Sequence, residues 1–170
     1  MTGRPELTEA APNYFKYIDQ VPGDDAIAAL EHELETSAAL FAGISAESSL
    51  KRYAPEKWTI RQVLNHVTDT ERAFCYRAMW FARGFDAPLA GYDQAIATAG
   101  AGANSIAWAA HVEEFRAVRL ATIALFRNMP AEAWLRTGTA SEKQFTVRAM
   151  AFIAAGHSAH HFAIVRDRYL

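Results

Sequence analysis

Cysteine is almost missing from this sequence: Cys75 is the one thiol in 170 residues. A disulfide framework and a thiolate-rich structural zinc site are therefore excluded. Long apolar runs are missing as well, since nothing approaches the roughly 18 consecutive apolar residues of a membrane-spanning helix. The opening stretch, "MTGRPELTEAAP", has no apolar segment behind a basic one, so the expected setting is the cytoplasm, with no membrane partner. An excess of positive charge is also absent. A formal net charge of -2 and a pI near 6.3 leave no basic face for nucleic acid. Two metal-site patterns are absent too. The zincin motif requires Glu directly after the first of two histidines, where this chain has Ser158. No Glu-x-x-His pair of the ferritin-like di-iron bundles occurs anywhere.

Hydrophobic residues make up 51% of the chain and charged residues 21%, which suits one soluble domain with a single core. Apolar residues recur at helical steps. Ile27, Leu30, Leu34, Ala38 and Phe41 follow the capping residues Asp24 and Asp25, and Gly43 closes this first helix. "EKWTIRQV" carries the strongest start signal, with Thr59 and Gln62 as a capping box and Trp58 and Val63 at the hydrophobic-staple positions. The second helix is expected from about Ile60 to Arg83, with Gly84 just beyond its end. Residues 84–104 are rich in Gly and Ala and too long for a tight turn, a length typical of a lid or binding loop. A third helix, capped by Ser105, aligns Trp108, Val112, Phe115, Arg119, Thr122, Phe126 and Met129 until Pro130 ends it. "EAWLRTGTASEKQF" reads as a polar connection without firm structure. Thr146 then caps a last helix, Val147 to about Tyr169, with Met150, Ala151, Ala154, His157, His161, Ile164 and Arg168 along one side.

Four such helices predict an all-α four-helix bundle over residues 24–170, preceded by an arm at residues 1–23. Tyr14, Phe15, Tyr17 and Ile18 of the arm would form an apolar patch in solvent, so they are expected to pack on the bundle or on a second copy.

Three of the six histidines fall in the closing "GHSAHHFAIVRDRYL". His157 and His161, four apart on a helix, share a face and can reach one ion. His160 diverges from His161 by about 100°. A third ligand must come from elsewhere, and His66 is the candidate if the second and fourth helices are neighbours. The competing reading is packing or surface hydrogen bonding, the reading given to His32 and His111. Glu71 falls amid Ile60, Leu64 and Val67, where a carboxylate must be paired or functional. Asp69 lies on the side away from that stripe. Either can accept an imidazole N–H or act as a base, and the alternative is a salt bridge to Arg72, Arg77 or Arg119. Cys75 reads as a small buried residue rather than a nucleophile.

Taken together, "EKWTIRQVLNHVTDTERAFCYRAMWFARG", "PLAGYDQA" and "GHSAHHFAIVRDRYL", in that order over about residues 25–170, resemble the DinB/YfiT-like family of metalloproteins. The resemblance implies up-down-down-up connectivity, with the long loop as the crossover. It also implies one divalent ion held by His66, His157 and His161, the trio that spacing suggests, while His160 matches an extra histidine of the motif. Members are commonly homodimers, and characterised ones include S-transferases that use low-molecular-weight thiols. The enzyme reading is that zinc or nickel activates such a thiol for transfer, or a water for hydrolysis, on a small-molecule substrate. Tyr92, Arg166 and Arg168 are candidate contacts for an anionic substrate. The alternatives are a non-catalytic metal-binding protein and a metal-free bundle that binds a hydrophobic ligand or a partner protein.

Overall fold

A computed structural model describes residues 3–91 and 93–170. Six α-helices follow one another as α1 (Phe15–Ile18), α2 (Ala26–Ala42), α3 (Ile60–Ala82), α4 (Gln94–Gly100), α5 (Trp108–Arg127) and α6 (Val147–Tyr169). A two-stranded antiparallel hairpin, β1 (Thr137–Ala140) and β2 (Lys143–Thr146), precedes α6.

The helix starts follow their capping chemistry. Asp25 accepts from the N–H groups of Ile27 and Ala28 and starts α2. Thr59 and Gln62 form a complete capping box on α3, and Thr146 accepts from Ala149 to start α6. Gly84 follows α3 at a φ of +80° that a β-carbon would disfavour. Ser105 is a correction: it lies in a 3-10 turn, Ala103–Ser105, and Ala107 opens α5 without a side-chain cap. Arg61 anchors this entry instead, donating from Nη1 to the carbonyls of Asn104 and Ile106 at 3.0 and 2.8 Å. On α2, Ala38 is exposed and Ser37 is buried, its hydroxyl satisfied by Leu34 O at 3.1 Å.

Side-chain contacts set the order and direction of the four long helices. Glu71 and Cys75 of α3 meet Arg119 and Thr122 of α5, so these helices run parallel. His66 lies against His161, and Phe74 against His157, so α3 and α6 are antiparallel. Phe41 of α2 packs on Trp108 and Phe162, near the start of α5 and the end of α6. The connectivity is up-down-down-up, and residues 83–107 carry the chain back between the two parallel helices. Within that crossover stands α4, capped by Asp93.

Two apolar clusters fill the bundle. Phe74, Phe81, Phe126, Phe145 and Phe152 belong to one, and Phe41, Leu64, Trp108, Phe115 and Phe162 to the other. Between them lies a buried polar layer of Glu71, Arg119, Thr122 and Ser158. The arm packs on the bundle: Tyr14 meets Phe145 edge-on at 5.0 Å, and α1 crosses α6 at Gly156, where an added Cβ would fall 1.9 Å from Tyr17 O. Among the described residues no helix is long and apolar enough to cross a membrane.

Candidate metal centre

Antiparallel packing of α3 on α6 brings His66 beside His157 and His161. One ring nitrogen from each lies within 4.8 Å of the others, and His66 Nε2 is 3.2 Å from His157 Nε2. Two ligands of a tetrahedral zinc, each about 2.0–2.1 Å from the ion, stand about 3.3 Å apart, so this pair already has the required separation.

The surroundings keep all three rings neutral. Burial lowers His66 to about 4. Burial, followed by the charges of His66, His160 and Lys16, lowers His161 to about 3. His157 is pushed well below the usual histidine value by burial first and by the neighbouring His161 next. Unprotonated imidazoles are what a metal requires. Their walls are aromatic: Trp58 lies 4.9 Å from the His66 ring, and Tyr17 and Phe74 meet His157 edge-on at 5.2 and 5.7 Å. His66 Nδ1 sits 3.4 Å from Thr70 Oγ1, which leaves Nε2 for the shared point. Nitrogen donors of this kind suit zinc or nickel, and no fourth His, Cys, Asp or Glu of the described residues joins the group.

The other candidates are placed elsewhere. Both carboxylate oxygens of Glu71 accept from Arg119 at 2.8 Å, and no hydrogen bond joins Glu71 to an imidazole of the trio. Asp69 is bound to Arg72 at 3.0 Å on the outer surface. His160 Nδ1 lies 3.1 Å from Gln20 Nε2, outside the trio. Burial pushes the Cys75 thiol up to about 12, and its sulfur meets Thr122 Oγ1 at 3.1 Å. His111 is fully buried with Nε2 2.8 Å from Ala103 O, and His32 is exposed. Arg166 and Arg168 are exposed and line neither cavity beside the histidines. Tyr92 lies outside the described residues.

Two cavities flank the trio. One, of about 280 Å³, lies against Trp58, Val63 and His161. The other, of about 170 Å³, reaches His66 and His157 between the arm, α3 and the hairpin turn, and Arg77 and Ser141 line it. Sequence reasoning singled out the arm's aromatic residues but gave Arg77 no site role. Its signal, an arginine on the half-buried side of α3, is shared by many structural arginines.

No curated protein matches this chain. Among solved structures, YfiT from Bacillus subtilis matches with a TM-score of 0.71 and 16% identity, covering 96% of this chain and 89% of that one. YfiT is described as "a probable metal-dependent hydrolase with an unusual four-helix bundle topology". At this identity the likeness establishes the shared fold. The sequence model of the DinB superfamily matches residues 29–165, from α2 through nearly the whole of α6, and the chain belongs to that superfamily.

Proposed function

We propose that this protein is a metal-dependent enzyme in which His66, His157 and His161 bind one divalent ion, zinc or nickel, and a small-molecule substrate reaches the open side. The observation that carries the reading is the convergence of three neutral imidazoles, two buried and His161 half-buried, without a fourth donor among the described residues. Such a donor set belongs to catalytic rather than structural zinc sites. A bound ion would lower the pKa of a water, or of a low-molecular-weight thiol, held at the remaining position.

The chain's own groups have separable parts in this reading. Thr70 meets His66 Nδ1 and so orients the ring with Nε2 toward the shared point, and Trp58, Tyr17 and Phe74 keep bulk water from the rings. Arg119 binds Ser158 Oγ at 2.7 Å, which holds α6 in rotation beside His157. Glu71 thereby acts through Arg119, and neither it nor Asp69 bonds to an imidazole of the trio. Hydrolysis is the first reaction class to screen, because the similarly folded YfiT is described as a probable metal-dependent hydrolase. Thiol transfer follows from the same open position.

A metal-free bundle is the competing reading, and the 3.2 Å contact between His66 and His157 is the observation behind it, since one N–H can donate to the other nitrogen. Metal content of tag-free protein separates the two. About one ion per chain in the parent, with most of it lost in His161→Ala, is expected. A parent that takes up no zinc, nickel or manganese on incubation would overturn the enzyme reading.

A further inference from the structure

We propose that the cavity beside His66 and His157 contains a carboxylate-binding subsite built on Arg77, so that the substrates are small carboxylic acids; this rests on the metal-dependent activity proposed above. Arg77 is 7% exposed, and its guanidinium lines the cavity. Nη2 donates to Ser141 Oγ at 3.0 Å and to Ala90 O at 3.4 Å. Nε and Nη1 donate to no described residue, and no described carboxylate pairs with the group. Among the described residues no Asp or Glu lines this cavity.

Both arginines are buried on the bundle, yet Arg119 is neutralised by a two-point pair with Glu71 and Arg77 is left facing a cavity. A buried guanidinium without a counter-ion is costly unless it receives one, and guanidinium donors fit a carboxylate.

Two separate segments, the crossover and the hairpin turn, hold the group in place. Leu89 N donates to Thr139 O at 2.9 Å, and Ser141 N donates back to Leu89 O at 3.0 Å, which ties the crossover to the hairpin turn. Ser141 holds a φ of +50°, a conformation uncommon for a residue with a side chain, while bonded to Arg77. Gly91 leaves room for that hydroxyl, since a Cβ there would lie 2.8 Å from Ser141 Oγ.

Size and lining define the ligand further. A cavity of about 150 Å³ accommodates benzene, and this one measures about 170 Å³ with Tyr14, Tyr17 and Phe74 in its walls. It takes an aromatic ring or short chain with its carboxylate on Arg77. The opposite end of such a molecule then points toward the imidazoles.

Calorimetric titration of benzoate, with benzyl alcohol as its neutral counterpart, tests the subsite in both metal-free and zinc-treated protein. Benzoate is expected to bind the parent at least about tenfold more tightly than benzyl alcohol, and to lose about that factor in Arg77→Met. Metal content and benzyl alcohol affinity stay unchanged in the variant. A direct readout needs no folded variant: the Arg77 Nε–H resonance of the parent shifts further downfield with benzoate, which accepts a charge-assisted hydrogen bond, than with benzyl alcohol. An unshifted resonance, or equal benzoate affinity in Arg77→Met, overturns the subsite. The two proposals fail separately. Arg77-dependent benzoate binding by a protein that takes up no metal overturns the metal reading alone, and metal uptake without such binding overturns the subsite alone.

Discussion

Glu71 marks the point where a residue's direction is legible and its partner is not. Its helical phase places it on the apolar side of α3, which requires a partner or a function, but only the parallel packing of α5 selects Arg119 over Arg72 and Arg77. The pair is 0% and 2% exposed, and Ser158 Oγ and Leu30 O take further N–H groups of Arg119. Removing one member leaves the other charge buried, so Arg119→Met is expected to cost about 3–5 kcal/mol in denaturant titration. The double variant Glu71→Gln with Arg119→Met recovers much of that loss and keeps its metal, because neither residue touches the imidazoles. A folded double variant without metal would instead make the pair part of the centre. Cys75 yields a second residue-scale prediction. With its pKa raised to about 12, the thiol stays protonated at neutral pH, and alkylation by iodoacetamide is expected only when denaturant unfolds the chain.

Helix starts written in side-chain chemistry were legible, because Thr59, Asp25 and Thr146 act within three residues of themselves. Ser105 and the hairpin were not, since tertiary contacts decide both. The hairpin's strands have four residues each, and its turn is Ser141-Glu142 at φ values of 50° and 62°, where Asn-Gly is the usual signal. Glu142→Gly relieves that conformation without touching Ser141, so it is expected to stabilise the protein by about 0.5–1 kcal/mol. A measured loss would mean that the Glu142 side chain contributes more than its backbone strain costs. Gly156 opens the histidine motif, yet its role depends on α1, a four-residue helix too short for a periodic signal. In Gly156→Ala the new methyl meets the Tyr17 carbonyl, a backbone atom that cannot swing away. The expected cost is about 1–3 kcal/mol by thermal or denaturant unfolding, the range for overpacking.

At the scale of the molecule, the arm ahead of α2 meets α6 at the site. The arm supplies Tyr14 and Tyr17 to the cavity wall, α6 supplies two histidines, and Glu9 fastens the arm to the start of α6. Its Oε2 accepts from Thr146 Oγ1 at 2.7 Å and from Arg148 Nε at 3.0 Å, while Oε1 accepts from Arg148 Nη2 and from the backbone of Glu6. Burial alone would raise the Glu9 pKa, but the hydrogen bonds from Arg148, Glu6 and Thr146 and the charge of Arg148 outweigh it, and the net shift is downward. The folded state therefore favours the ionised carboxylate more than the unfolded chain does. Stability from this link is fully present above the unfolded-state value near 4.5, and is lost as pH falls through the lower folded-state value. Glu9→Gln is thus expected to melt below the parent at pH 7, by an amount on the order of 1 kcal/mol. The gap narrows as both are titrated below pH 4, because the parent's own carboxylate then protonates. A gap that persists unchanged to pH 3 would show that the arm is held by its apolar contacts with Phe145 and α6, and that the ionic link adds nothing.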